Sequence, residues 1–237
     1  MEIAVYDSKL EVARALSDRL VAWNREDGLK SLALSGGSTP KIWFDVLSES
    51  YRDTLPWEEL SFYWGDERCV PPGHPDSNYG MTHKHLLRKV GVPEGQIYRI
   101  RGEAPPGQEA GRYGQVLRKT LPASGGWPVL DLVVLGLGED GHTASIFPHE
   151  AHLWDAPDCC VVATHPGSGQ HRISLTGGVI NQATRVVFLV TGRNKAERVL
   201  EISRGLEGSE KYPASRVAPK SGKLLWLLDA DAAALLP

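Results

Sequence analysis

Five short stretches of this chain combine titratable or cationic side chains with residues that free the backbone. The run Gly136-Leu-Gly138-Glu-Asp140-Gly141-His142 follows the apolar, β-branched segment Leu132 to Leu135. Such a segment reads as a buried parallel strand discharging into a glycine turn, where open α/β sheets place ligands. Histidine has the ordinary pKa nearest neutrality, so His142 beside the Asp140 carboxylate is a candidate proton-transfer pair. The second stretch is Ser35-Gly36-Gly37-Ser38-Thr39-Pro40. Its glycines let the backbone wrap an anion at a helix N-terminus, and Ser38 and Thr39 add hydroxyl donors. Thr39 is the expected N-cap, with Pro40 at the first helical position. Trp64-Gly-Asp66-Glu67-Arg68 puts acids and a base at another strand end. In Arg172-Ile-Ser174-Leu-Thr176, strand alternation puts Arg172, Ser174 and Thr176 on one face. In Thr191-Gly-Arg-Asn-Lys195 a lysine in a first helical turn opposes the dipole, which points to an anionic partner. Together these groups suit acid–base chemistry on a small phosphorylated substrate.

Other chemistries lack their residues. Gly136, Gly138 and Gly141 spell the dinucleotide-binding G-x-G-x-x-G. That fingerprint needs a long helix and an acid about 20 residues on. Pro148 interrupts the helix, and the next apolar run, Cys159 to Ala163, ends in Thr164-His165-Pro166 without an acid. The glycines are therefore expected to let the backbone approach some other ligand closely. Gly-Lys-Ser/Thr is missing after Gly37, and no G-x-S-x-G elbow is present. His83 and His85 lie two apart with no third ligand in view, so no metal and no cofactor are expected.

The elements that must position these groups alternate along the chain. Glu2 to Tyr6 reads as a strand, and Ser8-Lys-Leu-Glu11 as a capping box opening a helix with Leu10, Ala13, Leu16, Leu20 and Trp23 on its apolar face. Further strands are expected at Ser31 to Leu34, Leu60 to Gly65, Ile97 to Ile100, Leu132 to Leu135, Cys159 to Ala163, Ile173 to Thr176, Arg185 to Thr191 and Leu224 to Leu228. Helices are expected at about 79–90, 108–121 and 194–206, with an irregular loop from Val70 to Asn78. The fold class is α/β: a single doubly wound domain over residues 1–237, with a mainly parallel central sheet and helices on both faces. Antiparallel pairing is most expected between Cys159 and Thr191, where strands lie close in sequence.

The 237 residues are 41% hydrophobic and 23% charged, with a net charge of −3, which lacks the electrostatic footprint of a nucleic-acid binder. No apolar run approaches the roughly 18 residues needed to span a bilayer. Glu2 in a start without an apolar core segment argues against a signal peptide. Three cysteines, two adjacent, make a poor disulfide framework and favour a reducing cytoplasm.

The ordered motifs resemble the 6-phosphogluconolactonases, within the wider group that includes glucosamine-6-phosphate deaminases. The likeness rests on Ser35 to Pro40, Trp64 to Arg68, Asp76-Ser-Asn-Tyr79, Gly136 to Pro148, Arg172 to Thr176, Thr191 to Lys195 and Tyr212-Pro-Ala-Ser215. Deaminases look like Asp-Gly-His followed by Ile and a Phe-Asn-Glu-Pro ending. Here Thr143-Ala-Ser-Ile-Phe147-Pro148 follows, without that glutamate, as in the lactonase branch. The resemblance implies hydrolysis of 6-phospho-D-glucono-1,5-lactone to the open acid in the oxidative pentose phosphate pathway, without metal or nucleotide. It implies His142 as catalytic residue with Asp140 beside it. It also implies phosphate held by Gly36, Gly37, Ser38 and Thr39 with Arg172 and Lys195, and Arg68 lining the pocket. Asp66 matches the deaminases' base and is a further catalytic candidate. The alternatives are an aminosugar-phosphate isomerase or deaminase, or a sugar-phosphate-binding effector module. The expected partner is a small sugar-phosphate lactone, with no nucleic acid or membrane, and the expected assembly a monomer or small homo-oligomer.

Overall fold

A computed structural model describes residues 1–237, and in it the apolar runs become strands. In chain order these are β1 (Glu2–Tyr6), β2 (Ser31–Leu34), β3 (Ser61–Trp64), β4 (Asp66–Arg68), β5 (Ala123–Ser124), β6 (Trp127–Pro128), β7 (Leu132–Leu135), β8 (Cys160–Thr164), β9 (His171–Leu175), β10 (Arg185–Val190) and β11 (Leu224–Asp229). Six of them form one sheet in the order β1-β11-β10-β7-β2-β3, with every pairing parallel. Every residue of β2, β7 and β10 is buried, so the middle of the sheet is covered on both faces. That is why these strands read as unbroken apolar runs rather than alternations.

Parallel pairing sends all six carboxyl ends to one edge. From β2 the chain moves outward to β3, whereas from β7 it moves the other way to β10. The loops after β2 and β7 therefore leave in opposite directions and open a crevice between them, as at any topological switch point. Ser35–Thr39 follows β2, Gly136–His142 follows β7 and Thr191–Lys195 follows β10, so three of the predicted stretches share this edge.

The other two arrive on a second, antiparallel sheet of order β4-β9-β8. The chain swings out of β3 at Gly65, whose carbonyl accepts the Leu175 N–H at 2.8 Å. Strand β4 then pairs with β9, setting Arg68 opposite Arg172 and Asp66 opposite Ser174. The expected antiparallel region is this β8–β9 ladder, while Arg185–Val190 joins the parallel sheet.

Three local expectations are corrected. Ile97–Ile100 is not a strand: a single bridge from Ile97 to Phe62 forms. The Glu109 carboxylate then takes the Arg101 N–H at 2.7 Å and draws the segment aside. Helix Ser38–Ser50 is capped by Gly37 at φ 108°, not by Thr39, which lies inside the first turn. In helix Lys9–Asp27 Ser8 caps as expected, but Glu11 reaches back to the Asp7 N–H rather than that of Ser8, and Leu10 faces solvent.

One hydrophobic cluster of 55 buried residues runs from Val12 to Ala233 and ties both sheets together. The three cysteines are unpaired. No helix is long and apolar enough to cross a membrane.

Candidate active site

The crevice holds a cleft of about 170 Å³ lined by Ser35, Gly36, Asp66, Arg68, Gly136, Leu137, Gly138, His142, Ala144, Arg172 and Lys195. Residues from both sheets thus meet there. Of the predicted site residues, Gly36, Asp66, Arg68, His142, Arg172 and Lys195 face the cleft. Gly37, Ser38 and Thr39 follow Gly36 in the chain but do not line the cleft, and Asp140 supports His142.

His142 is held by its own turn. Its Nδ1 lies 2.6 Å from Asp140 Oδ1, and its backbone N–H donates to the same oxygen at 3.1 Å. The Phe147 ring packs against the imidazole at 4.7 Å between centroids. Burial alone would raise the Asp140 carboxyl, but the His142 ring and N–H outweigh it and hold the pKa at about 2. An ionised Asp140 accepts a proton-bearing Nδ1, which leaves Nε2 as the basic nitrogen of the neutral ring. Gly138 explains why the turn is glycine-rich. A Cβ there would lie 2.1 Å from His142 Nδ1 and 2.5 Å from Asp140 Oδ1. The close approach is thus made by the chain's own His–Asp pair.

Three cations face this pair. Arg68 and Arg172 are cross-strand neighbours, and each has a buried Nε without a hydrogen-bond partner. Arg68 donates through Nη1 to the Asp76 carbonyl at 2.7 Å, and Arg172 stacks over Phe147 at 5.5 Å. Neither has a carboxylate within 4.0 Å. Burial, then the neighbouring Arg68, weighs against the charge on Arg172. Burial likewise pulls the Lys195 ammonium below its usual value, against the favourable pull of Glu139 and Asp140. Half-buried cations with no close carboxylate are incompletely compensated, so a cluster of them fits an anionic ligand.

Backbone donors add to the cations. The N–H groups of Gly36, Gly37, Leu137 and Ala144 meet no acceptor in the chain. A Cβ on Gly36 would lie 1.7 Å from Asn78 Oδ1, so glycine is required there by packing. The Thr39 hydroxyl is 2.7 Å from that of Thr191 and is thereby spent on tying the loop after β2 to the loop after β10.

Asp66 is 5% exposed. Its Oδ2 accepts the Ser145 hydroxyl at 2.7 Å, and its Oδ1 and carbonyl accept the Asn78 amide at 3.3 and 2.9 Å. Beside it Glu67, 2% exposed, accepts the N–H groups of Arg68, Asn78 and Tyr79 and the Ser77 hydroxyl. Burial raises the Glu67 pKa, with the three backbone N–H groups opposing. Asn78, Ser145, Glu67 and Phe147 are therefore parts of the site to which the sequence reading gave no role. All four lie within or beside the motifs quoted above, but their contacts join one motif to another or link residues that no local pattern pairs.

A family profile for glucosamine-6-phosphate isomerases/6-phosphogluconolactonase matches residues 7–226. The chain is 41% identical to a 6-phosphogluconolactonase of Treponema pallidum over 226 residues, covering 95% of this chain and 88% of that one. It is 40% identical to a 6-phosphogluconolactonase of Aggregatibacter actinomycetemcomitans, with both chains covered completely. The structure of 6-phosphogluconolactonase from Trypanosoma brucei superposes with a TM-score of 0.90 at 30% identity, covering 100% of this chain and 98% of that one.

Proposed function

This chain belongs to the family of glucosamine-6-phosphate isomerases and 6-phosphogluconolactonases, and from that premise we propose that it hydrolyses 6-phospho-D-glucono-1,5-lactone to 6-phospho-D-gluconate with His142 as general base. The observation that carries the reading is the His142–Asp140 pair set against three cations without close carboxylate partners, apart from a 4.0 Å approach of Glu139 to Lys195.

Neutral His142 takes a proton from water through Nε2 as the water oxygen bonds to C1. The carbonyl electrons move onto the exocyclic oxygen. When that tetrahedral adduct collapses, the C1–ring-oxygen bond breaks and Nε2 returns the proton to the leaving oxygen. Asp140 stays ionised throughout, fixing the tautomer and favouring the transient imidazolium. The phosphate is held by the Gly36 and Gly37 N–H groups, Ser38, the N-terminus of helix Ser38–Ser50, Arg172 and Lys195, with Arg68 along the cleft. Thr39 contributes its place in the first turn rather than its hydroxyl. Residues 1–237 act as one unit, a reading supported by the shared core. The unpaired thiols support a cytoplasmic location, and the net charge of −3 a protein that does not engage nucleic acid. We read it as a monomer or small homo-oligomer that acts on a small molecule away from membranes.

The test generates the lactone in place with glucose-6-phosphate dehydrogenase and reads the acid with a 6-phosphogluconate-specific dehydrogenase. Wild type is expected to exceed the spontaneous rate, and His142→Ala to lose ~10²–10⁴-fold in kcat with its melting temperature kept. A folded wild type no faster than buffer would exclude the activity. Acceleration surviving in His142→Ala would remove His142 from the base role.

A further inference from the structure

Ala144 is the one non-glycine residue of the chain at positive φ, 49°. Left-handed backbone is unfavourable for an L-residue and persists where its surroundings fix it. Here the surroundings are buried hydroxyls. The Ile146 N–H closes a turn onto the Thr143 carbonyl at 3.0 Å, and the Thr143 hydroxyl donates to the Gly136 carbonyl at 2.9 Å. The Ser145 N–H donates to Ser174 Oγ at 3.1 Å, and the Ser145 hydroxyl donates to Asp66 Oδ2 at 2.7 Å. Thr143, Ser145 and Ser174 have no exposed surface, and Asp66 almost none. Every flank of Ala144 is thus anchored, while its own N–H meets no acceptor and its residue lines the cleft two positions after His142.

We propose that the Ala144 N–H is the donor that stabilises the oxyanion formed at C1. We further propose that Asp66 is a positioning residue that holds this turn through Ser145, not a proton acceptor. The inference rests on the lactonase reading. The base and the oxyanion donor must both address C1, and His142 and Ala144 flank Thr143 on one turn. The Gly36 and Gly37 donors sit on a different loop, suited to the far end of the substrate. Both oxygens of Asp66 are already engaged, one by Ser145 and one by Asn78. A carboxylate with each oxygen held by a protein donor is placed to hold structure rather than to take a proton from substrate.

The experiment replaces the residue at 144 by its α-hydroxy acid in the full chain, turning the N–H into an ester oxygen, and adds Ser145→Ala and Asp66→Asn. One preorganised oxyanion donor is typically worth ~10²–10³-fold in kcat. The ester variant is expected to lose that much with the affinity for 6-phosphogluconate and the pH profile kept. Ser145→Ala is expected to lower kcat with KM unchanged. Asp66→Asn keeps an oxygen for Ser145 and is expected to lose less than Ser145→Ala. An ester variant as fast as wild type would overturn the oxyanion assignment. Asp66→Asn that abolishes turnover beside a near-normal Ser145→Ala would overturn the positioning role. If wild type itself fails to open the lactone, the underlying reading fails, and this inference with it.

Discussion

The two ends of the parallel sheet each carry a concavity with arginines, and they treat those arginines differently. At the amino end a cavity of about 410 Å³ is lined by Arg19, Trp23 and Arg185 among others. There Arg185 stacks on Trp23 at 5.2 Å and ion-pairs with Asp27, while Arg19 meets Glu2 at 3.5 Å and the Tyr6 hydroxyl at 2.9 Å. At the carboxyl end the cleft is about 170 Å³, and Arg68 and Arg172 face one another with no acid within 4.0 Å. The larger cavity is the one whose cations are neutralised by the fold. Unbalanced charge rather than volume thus marks the carboxyl end as the one that would suit an anionic ligand.

Removing one arginine from each end tests that contrast. Arg172→Gln is expected to lower kcat/KM about 10- to 100-fold, the worth of one charge-assisted bond. Its melting temperature should hold, because no ion pair is lost and repulsion from Arg68 is relieved. Arg185→Gln should do the reverse, leaving kcat/KM unchanged in the coupled assay. Because Asp27 is half exposed, the loss should be only about 1–2 kcal/mol of unfolding free energy, read by urea titration. If both variants behaved alike, the distinction between the ends would collapse.

The smallest expected effect concerns Asp140. Its folded pKa of about 2 lies below the ordinary 3.8. The carboxylate therefore contributes stability that is fully present above pH 3.8 and is lost as pH falls through about 2. The unfolding free-energy gap between wild type and Asp140→Asn should narrow steadily from pH 4 to pH 2. A constant gap over that window would mean that Asp140 shapes the turn without its charge.

The central sheet was legible because β2, β7 and β10 are buried on both faces and so carry uninterrupted apolar runs. The second sheet was legible only in part: the β8 and β9 runs and their antiparallel pairing were expected, but Asp66-Glu67-Arg68 is wholly charged and becomes a strand through its ladder with β9. Ile97–Ile100 has strand composition, yet Glu109 diverts its backbone after one bridge. In the site, His142, Arg68, Arg172 and Lys195 could be read because their side-chain chemistry is conspicuous beside glycine turns. Asn78 and Ser145 could not. Their contribution is to hold Asp66, Asn78 from 12 residues on and Ser145 from a loop 79 residues away. Thr39 was misread as a cap because the local pattern fits, whereas Gly37 supplies the cap backbone and Thr191 claims the hydroxyl.

The register that sets Arg68 against Arg172 makes β4–β9 pairing a thermometer of occupancy. Like charges directly opposite one another weaken a ladder. An anion between them turns that repulsion into attraction. Any phosphorylated molecule that enters should raise the unfolding temperature by an amount set by its concentration and dissociation constant, whether or not it carries a bond to be cut. Ligands can then be ranked on this protein by heating alone, with turnover left out of the comparison.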